Sequence, residues 1–193
     1  MSVGTRELLL KEAETLARTR GGYAAFSYAD LAQRVGIRKA SVHHHFPTKE
    51  ALGVALVDGY LAKFTPALAA VLEDETSAKA RLAVYSGFFV DSLRDGLMPL
   101  CAALSAEAAA LPRSMQRQVS IFFELHLDWL TGVVRDGIAD GEFRAGLDVR
   151  QTATMLLSVA EGASLVAWAL KDSTRIEPAF AQVVESLAEP STD

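Results

Sequence analysis

The sequence predicts an all-α protein: an N-terminal three-helix domain with a helix-turn-helix, joined by a long helix to a larger C-terminal helical bundle. Three observations predict it. Ala and Leu are abundant, while only 9 Phe, 4 Tyr and 2 Trp occur, a mix that favours helices over sheets. Apolar residues recur at spacings of three and four, and no strand-type alternation is sustained. Gly, Pro and Asp clusters cut this pattern into helix-sized pieces. With 193 residues, half of them hydrophobic and 22% charged, the chain can bury a core, which excludes a disordered protein.

Taken in order, Thr5 can cap a first helix whose apolar face is Leu9, Ala13, Leu16 and Ala17, and Gly21-Gly22 ends it. Ser27 can cap a second, with Asp30 three residues later in a capping-box position and Leu31, Ala32 and Val35 facing inward. Gly36-Ile37 forms a tight turn into a third helix, about Arg38 to Phe46, which Pro47 stops. Thr48 caps a fourth, with Glu50 in its first turn, running through Leu52, Leu56 and Tyr60 toward Phe64. Pro66 is expected to bend or interrupt this helix, which places a domain boundary: residues 4–64, then 65–189, then a tail at 190–193. Further helices are expected at about 67–74, 78–94, 97–110, 114–140, 149–171 and 177–188.

Charge is unevenly spread. Residues 1–64 carry nine basic and six acidic side chains, net +3, and the remainder carries ten and eighteen, net −8. A weakly basic end on an acidic body points to a polyanionic partner at that end. The N-terminus has no apolar core before its first charges, and long uninterrupted apolar runs are absent, so a cytoplasmic protein without membrane association is expected. Cys101 is the single cysteine, read as a buried thiol, and no four-cysteine zinc site is possible. The run His43-His44-His45 invites a metal reading. However, neighbouring helical side chains point about 100° apart and cannot converge on one ion, so no metal or cofactor is expected.

The second and third helices with their glycine turn have the form of a helix-turn-helix, which leaves one face of Lys39 to His45 free to enter a major groove. The stretch from Ser27 to Phe46, followed by Pro47-Thr48-Lys49-Glu50-Ala51-Leu52, resembles the DNA-binding domain of the TetR/AcrR family of transcriptional regulators. The resemblance covers roughly residues 5–64. It implies that Lys39, Ala40 and His43 face base edges of double-stranded DNA, and that Ser41, His45, Thr48 and Lys49 meet phosphate. Where the family usually has a tyrosine, this chain has His43, so base preference stays open. The resemblance also implies a homodimer joined through the last two long helices, reading a palindromic operator, and most often a ligand-responsive repressor.

In the C-terminal part, Ala153, Ala160, Ser164 and Ala167 make a small-residue stripe that, with Val183, Val184 and Leu187, is expected to meet a second subunit. Phe88, Phe89, Phe122, Phe123, His126 and Trp129 are candidate walls of a pocket for a small, largely apolar effector. His126 is either a core histidine or a polar anchor there, and Glu161 either a rim residue or a pocket group. There is no nucleophile–base order, phosphate loop or forced carboxylate pair, so catalysis is not expected. The competing readings are a helical small-molecule-binding or interaction protein without DNA binding, and an enzyme built on the C-terminal bundle.

Overall fold

The computed structural model describes residues 4–189, so the tail expected at 190–193 lies outside the described residues. Among these residues are nine α-helices and no strand. They are α1 (Thr5–Arg20), α2 (Tyr28–Val35), α3 (Lys39–His45), α4 (Lys49–Asp74), α5 (Ala78–Arg94), α6 (Leu100–Ser105), α7 (Arg113–Ala139), α8 (Val149–Leu170) and α9 (Ile176–Ser186).

The chain divides into two compact units. The first gathers residues up to Lys63 together with Leu97–Phe122, and the second gathers Phe64–Gly96 and the residues from Phe123 onward. Segment 97–122 was expected in the C-terminal domain, yet it packs with the N-terminal helices. Three contacts between residues distant in sequence explain this. The buried Arg18 guanidinium donates through Nε to the Met98 carbonyl (2.8 Å), and the Met98 amide donates back to the Arg18 carbonyl (3.1 Å). The Ala24 amide donates to the Glu107 carboxylate (3.0 Å). Gly53 in α4 admits the Met115 thioether, since a Cβ there would lie 2.3 Å from its sulfur.

The caps are local chemistry. The Ser27 hydroxyl accepts from the Ala29 and Asp30 amides, and the Asp30 carboxylate accepts from the Ser27 amide at 2.8 Å. These bonds, with Arg20 beside it, hold the Asp30 carboxyl down at about 2. Gly36 closes α2 with φ 73°, a left-handed conformation that costs glycine no Cβ clash. On α1 the cap position is Gly4 rather than Thr5, and Glu7 accepts from the Gly4 amide (3.3 Å).

Two expectations about breaks are corrected. Pro66 does not end its helix, because α4 continues to Asp74 and the expected helix at 67–74 is its second half. Proline removes one helix hydrogen bond, but burial on both sides outweighs that loss: Leu52, Leu56, Val57 and Tyr60 before it, Leu68 and Val71 after it. The helix expected at 97–110 is instead α6 and a separate 3-10 turn at Ala108–Ala110. By length and composition alone, α4 and α8 are each long and apolar enough to cross a membrane, contrary to the expectation from the sequence. In α8, ionisable residues stand at Arg150 and Glu161 only.

In the second unit α5, α8 and α9 pack on one another, with α7 completing the core through Leu130, Val133 and Val134. Glu142 ties the loop after α7 to the start of α5 by accepting from the Ala78 amide (2.7 Å) and the Ser77 hydroxyl (2.7 Å). At Gly137 a Cβ would stand 2.3 Å from the buried Phe143 ring and 2.8 Å from the Ala78 Cβ. An exposed helical Gly→Ala change gains about 1 kcal/mol. Here overpacking reverses the sign, and Gly137→Ala is expected to lose about 1–2 kcal/mol net. A thermal melt several degrees below wild type is the expected observation, and an unchanged or raised midpoint would contradict it.

Candidate functional site

In the first unit, α3 is held from beneath and open above. Val42 and Phe46 are buried with Leu31. Lys39, Ala40, His43 and His44 are exposed, and Ser41 and His45 are half-buried. The sequence folds this way locally because Gly36 turns the chain sharply and the one large apolar residue inside α3, Val42, has one place to go. Tyr28 then fixes the joint between α3 and α4. Its hydroxyl lies 2.8 Å from the Phe46 carbonyl and 2.6 Å from the Thr48 carbonyl. Burial pushes the phenol up to about 12, so it remains a donor. The His43 ring packs edge-on against Tyr28, with centroids 4.7 Å apart. Thr48 caps α4 by accepting from the Ala51 amide (3.0 Å).

The cations around this face differ in availability. Arg20 pairs with Asp30 (3.2 Å) and Arg34 with Glu12 (2.6 Å). Arg38 and Lys39 stand exposed side by side where α3 begins.

In the second unit a polar group sits inside an aromatic cluster. Tyr85 is fully buried. Trp129 stacks on it with centroids 5.3 Å apart, and Phe89, His126 and Phe180 stand at 5.4, 5.7 and 6.1 Å. Phe88 lies edge-on to Phe64 at 5.7 Å. The Tyr85 hydroxyl and His126 Nδ1 are 2.9 Å apart. Burial lowers His126 from the ordinary 6.5 to about 4, so the ring is neutral at pH 7. Glu161 on α8 acts electrostatically on Tyr85, and burial raises its carboxyl from 4.5 to about 7.

Comparison with known proteins decides what these two units are. The family model for bacterial regulatory proteins of the tetR family matches residues 9–56, and a tetracyclin repressor-like C-terminal domain model matches residues 78–183. The chain belongs to the TetR family. It is a DNA-binding transcriptional regulator. A TetR-family regulator from Agrobacterium tumefaciens has a similar structure, with TM-score 0.91 and 33% identity over 95% of this chain and 97% of that one. The transcriptional repressor NemR of Escherichia coli K12 is 27% identical over 97% of this chain and 96% of its own. The fatty acid metabolism regulator protein of Bacillus subtilis is 24% identical over 78% of this chain and 77% of its own.

Against that family, several sequence-based expectations change. Lys49 is not presented outward as a phosphate cation. Its ammonium donates to the Tyr23 carbonyl (2.6 Å) and the Phe26 carbonyl (2.5 Å) and lies over both rings at 4.4 and 4.7 Å. It therefore clamps the loop between α1 and α2. Lys49→Met should cost about 2 kcal/mol by leaving two carbonyls without their donor. Melting should fall by roughly 4–8 °C, while the slope of operator affinity against salt stays as in wild type. A slope reduced by about 1 would restore the phosphate role.

Of the expected pocket residues, Phe88, Phe89, His126 and Trp129 surround Tyr85, and Phe123 packs against the same core. Phe122 belongs to the first unit, its ring 5.3 Å from Tyr60. Ala153, Ala160, Ser164 and Ala167 are each 0% exposed, buried inside their own subunit, and Val184 and Leu187 are buried too. That stripe is a subunit core, not a partner face. Sequence reasoning overlooked Tyr85, which is one apolar-looking residue among many in α5, and Arg38, which was read only as a helix start.

His126 and Glu161 make opposing contributions to stability. The folded His126 value is depressed, so its contribution is complete above pH 6.5 and is lost as the pH falls toward 4. The folded Glu161 value is raised, so its penalty is present above pH 7 and disappears as the pH falls toward 4.5. Each amounts to about 3 kcal/mol, and the two offset one another. Tyr85, which faces both, stays protonated throughout. Relative to wild type, Glu161→Gln should lose about 3 kcal/mol between pH of about 7.5 and 4.5, and His126→Phe should gain a similar amount. Urea unfolding at the two pH values measures this, and parallel behaviour of all three proteins would disprove the opposition.

Proposed function

We propose that the protein is a homodimeric repressor that reads a palindromic operator with two α3 helices and releases it on binding a small, largely apolar effector in the second unit. The observation that carries the reading is the outer face of α3, with Lys39, Ala40 and His43 exposed above a fixed Val42–Phe46 floor. Arg38, Ser41, His45 and Thr48 flank that face and are assigned to phosphate and groove edge. NemR, the repressor matched above, supports the direction of regulation.

A dimer needs an apolar face that the subunit itself leaves open. On α8 this is Met155, Leu165, Val166 and Leu170, exposed at 40%, 46%, 53% and 56%. Gly162 lies between them with no atom within 4 Å of a would-be Cβ, which permits close helix approach. A two-fold axis there places identical faces together and yields half-sites about 34–36 Å apart. The effector acts from the aromatic cluster around Tyr85, and α4 and α7 each contribute residues to both units. A ligand with different affinities for the operator-bound and free states, coupled by about 1–3 kcal/mol, changes operator affinity roughly 5–150-fold. Such a protein works where the DNA is, in the cytoplasm, and needs no catalytic step.

Selection of bound sequences from random duplexes, followed by mobility shift at two salt concentrations, tests the reading. Enrichment of a palindrome with salt-sensitive affinity is the expected result. Absence of duplex binding at low salt would overturn it.

A further inference from the structure

We infer that α7 opens with a second DNA contact, in which Arg113 and Arg117 engage backbone phosphates flanking each half-site, outside the stretch faced by α3. This rests on the operator reading above and extends it to residues beyond the helix-turn-helix.

The start of α7 belongs to the DNA-binding unit, because Leu97–Phe122 packs with the N-terminal helices. Its place there is set by the first turn of α4. The Ser114 hydroxyl donates to the Glu50 carboxylate, and Ser114 lines one open cleft with Thr48, Glu50 and Ala51. Thr48 is assigned to the DNA edge, so Arg113, next to Ser114 in sequence, stands beside that edge. A cation is wanted at this point. The Lys49 ammonium is turned inward onto the Tyr23 and Phe26 carbonyls and leaves the start of α4 without a charge for phosphate.

Arg113 and Arg117 are both exposed. Arg18, Arg20 and Arg34 of the same unit each pair with an acid, whereas Arg113 and Arg117 meet none among the described residues. They lie one turn apart on α7, about 6 Å along its axis. That spans one to two nucleotide steps at about 3.4 Å of rise each. With Ala109, Leu111, Gln116 and Ser120 they line a cleft of about 700 Å³ that contains no acidic residue. Its wall is held in place, because the Gln116 carboxamide donates to the Ala108 (3.0 Å) and Leu111 (2.8 Å) carbonyls. Arg113 also occupies the first turn of α7, where the helix dipole opposes a cation and no acid offsets it. The one acid of segment 97–122, Glu107, is engaged by the Ala24 amide (3.0 Å). Two guanidiniums kept on a rigid element without acidic partners suit a polyanion, and the polyanion this unit binds is DNA.

The test is a mobility shift of the full-length protein on the selected palindrome in two lengths. One duplex ends at the half-sites, and the other extends about 10 base pairs, one helical turn, beyond each. Each phosphate neutralised adds about 0.9 to the salt slope, so the four arginines of a dimer account for about 3.6 on the long duplex. Raising salt from about 50 to 200 mM should therefore weaken the wild type roughly 100-fold more than Arg113→Ala with Arg117→Ala. On the short duplex the two proteins should have equal slopes, and their order of preference among half-site sequences should be the same, since phosphate contacts carry no base information. Equal slopes on the long duplex, or the same loss on the short one, overturn the flanking contact and leave α3 as the reader. Failure of the wild type to bind either duplex overturns the operator reading and this inference with it. Should the double variant not fold, hydroxyl-radical cleavage of the wild-type complex decides: protection reaching into both flanks is expected, and protection confined to the half-sites overturns the contact.

Discussion

Replacing Lys39 by Glu is expected to abolish operator binding at working concentrations while leaving the fold intact. Lys39 is exposed on the outer face of α3, and nothing in the core depends on it. In a groove it exchanges a favourable contact for a carboxylate among phosphates, at roughly 1–3 kcal/mol per half-site. A dimer carries the change twice, so affinity should drop by about 2–6 kcal/mol, or roughly 30-fold to more than 10⁴-fold. Far-ultraviolet circular dichroism and melting should match wild type. His43→Ala should act differently and more mildly. Its ring contacts Tyr28, so part of its effect appears as altered order around the α3–α4 joint. A Lys39→Glu protein that still shifts the selected palindrome would remove α3 as the reading helix.

Val166→Glu is the second large effect. Val166 is 53% exposed on α8 in the single subunit, so a glutamate there costs the monomer little. At a two-fold interface it buries two like charges against one another without partners, which destabilises the dimer by about 3–5 kcal/mol. Sedimentation at micromolar concentration should show monomer for the variant and dimer for wild type, with operator affinity falling about 100-fold or more. Ala160→Glu provides the contrast. Ala160 is 0% exposed inside its own subunit, so its replacement should unfold the second unit rather than separate two folded ones. A Val166→Glu protein that remains dimeric would move the interface elsewhere.

The residues that decide these outcomes differ in how visible they were in the sequence. Local rules suffice where one short stretch contains all the relevant atoms. Ser27 with Asp30, Gly36, and Val42 among small and polar neighbours state the two helices, their turn and their open face without help from the rest of the chain. The family pattern at Ser27 to Leu52 is a record of that same local chemistry. Helix spacing likewise located α5, α7, α8 and α9 within a few residues.

Tertiary structure decided everything that depends on which of two faces meets what. A small-residue stripe permits close approach but does not name the partner, and here α8 spends Ala153, Ala160, Ser164 and Ala167 on its own subunit and leaves Val166 and Leu170 outside. A lysine at a helix start can serve a phosphate or a loop, and the Tyr23 and Phe26 carbonyls lie 26 and 23 residues away in sequence. Segment 97–122 joined the first unit through Arg18, Ala24 and Gly53, contacts that no periodicity encodes. Pro66 illustrates the same limit from the other side. Its local cost of one hydrogen bond is legible in the sequence, but the burial of Leu68 and Val71 that outweighs it exists only once the helices have packed.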